Sequence, residues 1–573
     1  MSKPAPALRS SKPTQSELEP DVKTDSKLSA SDKTSTPSND ESASSSNVLA
    51  ASAAGARYLI LLSISSRLLT FLVNNLLLRY LSPSLLGISV QLELLSISIL
   101  YFSRESLRTA LQRQSQNTKN SSIIITNLAL LCLPLGICFS GVLGWSYWRG
   151  SEVGQLPWGK EAVGLYVLAT IFELASEPGF ALGQAGLRYK LRAGAESAAS
   201  LTRCLLTCGT TIYFARQGWD IGPLGFALGQ LGYGVVLFLV YTAVFGVPYP
   251  SQIPTMKGEK EGYYGGLFEK QLTGLAGTMW VQAAIKHVLT QGDSLLVAWL
   301  TTLEEQGTYA LAANYGGLVA RMVLQPIEEA ARGLFSKLLV DGNSVAKKDK
   351  KDTSKQEGKA AAQRTLKLLL RLYLLFSVII ITLGPPFAPL ALQLLAGKRW
   401  ADAQAGAVLA GYCYYIPLLA VNGVTEAFVQ SAANTADLRR QSAVMGVFSV
   451  GFGVAGWWFV KALGMGARGL VAANAVNMAL RIVWSGGFMR SYFTGGEGKV
   501  KDEGKGWREI IPSPVLVSVA AVVAAVVRAP GVSELGMIKQ IATGAVGGLV
   551  LLIAAAVTER HFAMECWRMA KRK

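Results

Sequence analysis

Residues 318–333 read "LVARMVLQPIEEAARG", and their charges decide how the chain is read. Apolar residues at helical spacing run on both sides, yet the stretch holds Arg321, Gln325, Glu328, Glu329 and Arg332. Arg321, Gln325, Glu328 and Arg332 stand at i, i+4, i+7 and i+11, on one face of a helix. Glu329 lies off the centre of that face and has no evident partner. A polar stripe on an apolar helix suits a membrane span whose charges face a cavity or another helix, because an ionised group facing lipid is costly.

The rest of the chain agrees that lipid is the solvent. Its 573 residues are 50% hydrophobic and only 16% charged, with a mean hydropathy of +0.33, a combination rare in soluble domains. Apolar runs recur at roughly the 20 residues needed to cross a core of about 30 Å, and about fourteen spans are predicted. They lie at 55–81, 84–111, 122–148, 162–187, 195–216, 222–246, 271–300, 305–338, 364–384, 402–432, 437–462, 466–492, 512–529 and 535–558. The stretch 387–396 is too short to span and reads as a loop or a re-entrant piece. The fold class is all-α, a polytopic membrane protein.

Residues 1–47 are rich in Ser, Lys, Asp, Thr and Pro, so they read as a disordered cytosolic tail without a signal peptide. Basic residues collect in loops after even-numbered spans, such as Arg188, Lys190 and Arg192, or Lys347, Lys348, Lys350 and Lys351. The positive-inside rule places those loops and both termini in the cytosol. Much of the net charge of +18 is therefore topology signal, and no nucleic-acid partner is expected. The basic tail at 559–573 reads either as resting on anionic lipid or as a solvated flank. The sequon at Asn120 falls in a cytosolic loop and is expected to be unglycosylated. The cysteines form no CxxC pair and the only histidines are His287 and His561, so no metal or other cofactor is expected.

A weak internal repeat divides the body. A shift of 220 residues lays "RLLTFLVNNLLLRYLSPSLLG" (67–87) on "HVLTQGDSLLVAWLTTLEEQG" (287–307), matching Leu69-Thr70 with Leu289-Thr290 and Gly87 with Gly307. The same shift lays span 1 on span 7 and span 2 on span 8. Six spans return the chain to its starting side, so the halves would be parallel repeats about an axis along the membrane normal. The expected organisation is two parallel six-helix lobes plus two extra helices. The N-lobe covers 55–246 and a cytosolic loop 247–270. The C-lobe covers 271–492 and carries a disordered lysine-rich loop at 341–363; the extra helices lie in 512–558.

Polar residues in other spans also keep helical spacing. Span 1 carries Arg67, Thr70 and Asn74; span 7 carries Lys286, Thr290 and Asp293; span 10 carries Asn422, Glu426 and Gln430; span 12 carries Asn474, Asn477 and Arg481. Span 4 holds Glu173 and Glu177 before Pro178. Arg67, Lys286, Arg321 and Arg481 fall near the middles of their spans, too deep to snorkel. Such cations suit an anionic ligand, since a guanidinium fork matches phosphate oxygens and Lys supplies a point charge. The competing reading pairs them with Glu173, Asp293, Glu328 and Glu426 to hold helices together. Arg104, Glu105 and Arg108 lie nearer the cytosolic end of span 2, where gate pairing or snorkelling is expected. No GxxxxGK[ST] loop, HExxH or serine elbow is present, so no ATP-driven or enzymatic activity is expected. Pro326 amid the stripe is a candidate hinge.

"GTYALAANYGGLVARMVLQPIEEAARG" resembles the signature of the endoplasmic-reticulum diphosphodolichol-oligosaccharide translocation proteins, in the multidrug/oligosaccharidyl-lipid/polysaccharide exporter superfamily. So do "SRLLTFLVNNLLLRYLS", "YFSRESLRTAL", "FELASEPGF", "AIKHVLTQGDSLL", "VNGVTEAFVQSA" and "LVAANAVNMALRI". The Ser-rich N-terminal tail and the 341–363 insert depart from shorter members. The resemblance implies a flippase moving a dolichyl-diphosphate-linked heptasaccharide of mannose and N-acetylglucosamine from the cytosolic to the lumenal leaflet for N-glycosylation. The protein would sit in the endoplasmic-reticulum membrane, with the glycolipid and membrane lipids as partners. Under alternating access, Arg67, Lys286, Arg321 and Arg481 would hold the diphosphate. Asn74, Gln325, Asn422 and Asn477 would bond the sugars. Glu173, Glu328 and Glu426 would balance the cations in the empty state. The rival readings are a non-transporting glycolipid-binding or assembly factor and a cation-coupled antiporter.

Overall fold

The computed structural model describes residues 75–112, 120–186, 188–253, 262–344, 348–397, 400, 404–494, 509–533 and 536–564, which belong to one compact unit. The expected tail 1–47, Arg67, Asn74 and most of the first expected span lie outside the described residues.

The first half contains α1 (Pro83–Gln112), α2 (Ser121–Leu130), α3 (Cys132–Gly150), the short α4 (Glu152–Gln155), α5 (Gly159–Ala175), α6 (Glu177–Ala185), α7 (Tyr189–Arg216) and α8 (Leu224–Phe245). A two-residue hairpin, β1 (Tyr263–Tyr264) with β2 (Phe268–Glu269), leads into the second half. There follow α9 (Lys270–Leu300), α10 (Leu303–Val319), a π-helical turn at Ala320–Leu324, and α11 (Gln325–Ser344). Then come α12 (Lys348–Leu395), α13 (Ala405–Ala432), α14 (Thr435–Trp457) with a π-helical end at Trp458–Ala462, and α15 (Ala467–Thr494). The chain continues through α16 (Pro514–Val527), the short α17 (Pro530–Ser533) and α18 (Met537–Thr558). Among the described residues, eight helical stretches are long and apolar enough to cross a membrane. Local signals set several boundaries. Thr302 and Glu305 form a capping box at the start of α10, and Asn434 and Asp437 do so at α14.

Within the first half α5 packs on α8, and α8 on α7; in the second half α13 packs against α10, α11, α12 and α15. The halves meet where α1 lies against α9 and α10. That crossing carries a symmetry visible in the numbering. A Cβ on Gly87 would run into the carbonyl oxygen of Leu303, and a Cβ on Gly307 would run into the carbonyl oxygen of Pro83. Leu303 stands 220 residues after Pro83 and Gly307 stands 220 after Gly87, so each contact is the other's repeat image. This is what two parallel repeats produce when equivalent helices cross on their shared axis. Only glycine leaves room for the backbones to come this close.

Two expectations are corrected. The stretch 387–396 is neither a loop nor re-entrant: α12 runs unbroken to Leu395 through Pro385, Pro386 and Pro389. Ala388, Leu392 and Ala396 are buried at a spacing of four, so packing of one helical face holds this segment; prolines are tolerated where neighbouring groups satisfy the freed carbonyls. The supposed disordered loop 341–363 also changes: α11 extends to Ser344 and α12 begins at Lys348, with 345–347 outside the described residues. Its Lys, Gln, Glu and Ala residues are good helix formers, and the helix they extend is anchored by its apolar remainder.

The last helices, α16 and α18, pack on each other and on α12. Glu559, 3% exposed, is the clasp: it accepts from Arg371 Nη2 of α12 at 2.5 Å and from the Ser513 backbone N–H at 2.8 Å. The Arg371 guanidinium also lies 5.0 Å over the Phe562 ring.

Candidate functional site

The polar stripe of the opening stretch is interrupted by the π turn. Pro326 cannot donate to the carbonyl of Met322, and its ring would crowd that carbonyl in a regular helix. The chain widens instead, and the Gln325 N–H reaches back five residues to Ala320 O. Tyr373 Oη of α12 donates to Leu324 O at 3.1 Å and fastens the widened turn. Arg321, Gln325 and Arg332 are exposed and Glu328 is half-buried. Arg321 Nη2 donates at 3.1 Å to both the backbone and side-chain oxygens of Asn314. No carboxylate pairs with it among the described residues. Gln325 Nε2 donates to Glu329 Oε1 at 3.1 Å, so Glu329 does have a partner. Glu328 projects onto α13, its carboxylate lying over Gly423, where any side chain would displace it.

Around Glu328 the second half builds a polar cluster. Arg481 Nη2 of α15 donates to Glu426 Oε2 of α13 at 2.8 Å. Asn422 Nδ2 donates to the same oxygen at 3.1 Å, and Gln430 Nε2 to Glu426 Oε1 at 3.3 Å. Among the described residues, three buried atoms of this cluster have no hydrogen-bond partner: Asn422 Oδ1, Asn477 Oδ1 and Arg481 Nε. Buried polar atoms are normally satisfied, so the cluster keeps unspent capacity to bond a ligand or water. Nearby, Asn474 Nδ2 donates to Tyr309 Oη at 3.0 Å, tying α15 to α10.

The first half holds the counterpart. Arg104 Nη1 of α1 donates to Glu173 Oε1 at 2.7 Å and lies 3.6 Å from Glu177 Oε2. Arg108 grips Glu177 with Nε and Nη2, a two-pronged pair, while its guanidinium sits 4.0 Å over the Phe180 ring. The two clusters share a frame. Glu173, Ser176 and Glu177 have the same spacing as Asn422, Thr425 and Glu426, and in each set the hydroxyl donates to the carbonyl three residues earlier, at 2.7 Å and 3.0 Å. The cation comes from α1 in the first half and from α15 in the second.

The expected site residues thus separate. Arg481, Asn422 and Glu426 gather beside Glu328 in the second-half cluster, with Asn477 buried one turn before Arg481 on α15, and Arg104 gathers with Glu173 in the first. Glu105 forms no ion pair among the described residues. Lys286 and Asp293 fall on α9, with side chains outside the described set, as are Arg67 and Asn74. Glu177 and Arg108 are central to the first-half cluster but were not singled out as site residues. Their signal was available: Arg104/Arg108 and Glu173/Glu177 are complementary i, i+4 pairs. Asn75, beside the expected Asn74, accepts from Tyr315 Oη at 2.5 Å.

The protein-family profile described as "Rft-1: Rft protein" matches residues 51–569. The Man(5)GlcNAc(2)-PP-dolichol translocation protein RFT1 of Yarrowia lipolytica is 35% identical over 496 residues, covering 78% of this chain and 71% of that protein. The protein of the same name from Xenopus tropicalis is 32% identical over 544 residues, covering 88% and 95%. Among solved structures, lipid II flippase MurJ in an inward closed conformation superposes with a TM-score of 0.57 at 11% identity, covering 88% of this chain and 99% of that one. That likeness is one of fold.

Proposed function

Because the chain belongs to the Rft protein family, we propose that it moves a dolichyl-diphosphate-linked oligosaccharide of mannose and N-acetylglucosamine across the endoplasmic-reticulum membrane, from the cytosolic to the lumenal leaflet. The body has about fourteen spans with both termini cytosolic. The observation that carries the reading is Arg321: a cation within the apolar body, on a widened turn, held by amide oxygens of Asn314 and, among the described residues, by no carboxylate. A guanidinium so placed has its charge free for phosphate oxygens. Arg481 is the second arm, tethered to Glu426 through Nη2 with Nε unspent. Asn422 and Asn477 offer carbonyl oxygens to sugar hydroxyls, and Gln325 its amide. In the empty state Glu426 neutralises Arg481, and a diphosphate replaces that carboxylate when it binds. The first-half pairs, Arg104 with Glu173 and Arg108 with Glu177, brace one gate.

The test is transfer of a chemically readable glycolipid in vesicles containing only the purified protein. Transfer above that of empty vesicles, lost in Arg321→Ala, supports the proposal. Glycolipid binding without any transfer refutes it in favour of a non-transporting binding or assembly factor.

A further inference from the structure

Away from the charged clusters, an open cavity of about 930 Å³ lies where α3, α4 and the start of α5 meet. Trp145, Trp148 and Trp158 converge on it together with Arg149, Lys160 and Glu161. The indoles are 59%, 43% and 50% exposed, so burial does not account for them. The Arg149 guanidinium lies 4.6 Å over the Trp145 ring; neither Trp148 nor Trp158 stacks on another ring among the described residues. The frame is tight. A Cβ on Gly154 would come within 2.7 Å of the carbonyls of Tyr147 and Trp148, and one on Gly159 would strike that of Val153. Trp158 caps α5 at φ +61°, a left-handed conformation that bulky residues rarely adopt. Gln404, which caps α13 in the other half, has φ +56°. Both caps are left-handed, but among the described residues only this one carries an indole.

We propose that this cavity is a carbohydrate-binding subsite on the lumenal rim, which receives the sugar head of the glycolipid after it crosses. The proposal rests on the transport reading and on the sidedness given by the basic loops. Flat indole faces cover the C–H faces of pyranose rings, while Arg149, Lys160 and Glu161 reach hydroxyls around them. The volume falls within the roughly 300–1,000 Å³ of ligand sites. An interfacial tryptophan belt accounts for isolated residues such as Trp299, 79% exposed, but not for three indoles around one cavity with charges of both signs.

The test uses the full chain in nanodiscs of neutral phosphatidylcholine, titrated with soluble mannotriose and N,N′-diacetylchitobiose and read by saturation-transfer NMR. The expected result is a saturable response, weakened about tenfold in Trp158→Ala and Trp148→Ala and unchanged in Trp299→Ala. Absence of a saturable response in the wild type overturns the proposal, as does an equal loss in Trp299→Ala. Cavity tryptophans shielded from quenchers by added phosphatidylinositol, with no sugar response, would assign the cavity to lipid headgroups and overturn it as well. Glycolipid transfer measured in parallel separates the two readings. Transfer without sugar binding removes the subsite alone, whereas sugar binding without transfer removes the transport reading and overturns a receiving role, leaving a cavity that only binds sugar.

Discussion

The Arg481–Glu426 pair allows a structural tie to be told apart from a ligand-binding arm. Its side chains are 25% and 22% exposed, and the contact is 2.8 Å. Deleting one partner of a fully buried pair costs about 3–5 kcal/mol, whereas an exposed pair is worth less than about 1 kcal/mol. At this intermediate burial Arg481→Gln is expected to cost about 2 kcal/mol, because Glu426 keeps only Asn422 and Gln430. Glu426→Gln is expected to cost a similar amount by leaving Arg481 unpaired. The double variant leaves no isolated charge, so a coupling of about 1–2 kcal/mol is expected. The assay is reversible unfolding by SDS titration in mixed micelles, alongside glycolipid transfer in vesicles. Single effects that add to within about 0.5 kcal/mol would refute the pairing argument. The transfer readout decides the role: recovery of stability without recovery of transfer makes Arg481 an arm of the diphosphate site, whereas recovery of both makes it a counter-ion only.

Other outcomes follow from the same geometry. Gly87→Ala and Gly307→Ala should each lose about 1–3 kcal/mol by overpacking, and by similar amounts, measured by the same titration. Arg321→Ala should lower glycolipid transfer while costing under about 1 kcal/mol of stability, since Arg321 is exposed and its hydrogen bonds among the described residues go to Asn314. Arg321→Lys, which keeps the charge but not the fork, should be intermediate in a depleted-cell complementation assay; full complementation by both variants would refute the phosphate role. Glu559→Gln should loosen α16 and α18 from α12, seen as faster limited proteolysis near residue 533, with the rest of the body protected.

Length and apolar character made most of the helices legible, because a lipid-embedded helix must satisfy its backbone internally and advertises this as a long apolar run. The boundaries of α1, α8, α13 and α18 lie within a few residues of expectation. What escaped was set by packing rather than hydropathy. The stretch 387–396 looked too short to span and was set apart, yet the four-residue spacing of Ala388, Leu392 and Ala396 keeps it within α12. The stripe of Arg321, Gln325, Glu328 and Arg332 was read on a regular helix, and the π turn forced by Pro326 cannot be seen in a period of 3.6. For the candidate site, residue types and faces were readable but partners were not. Arg481 was grouped with Arg321 because both are midplane arginines, yet one faces a carboxylate and the other faces amides. That distinction depends on which helices become neighbours. Arg108 and Glu177 were placed on their spans, but their pairing with each other was not readable for the same reason.

The crossing at Gly87 and Gly307 has a bearing on ancestry. A patch that contacts its own 220-residue image is the interface of a symmetric dimer written into one chain. Two copies of a half-length protein, meeting through the opening turns of the helices that carry these glycines, would bury this surface without any new complementarity, and joining them end to end would preserve it. Each glycine then remains constrained by the other half: a methyl group at either position presses on the partner's backbone, so the two sites are free to drift apart in sequence only where no atom is added.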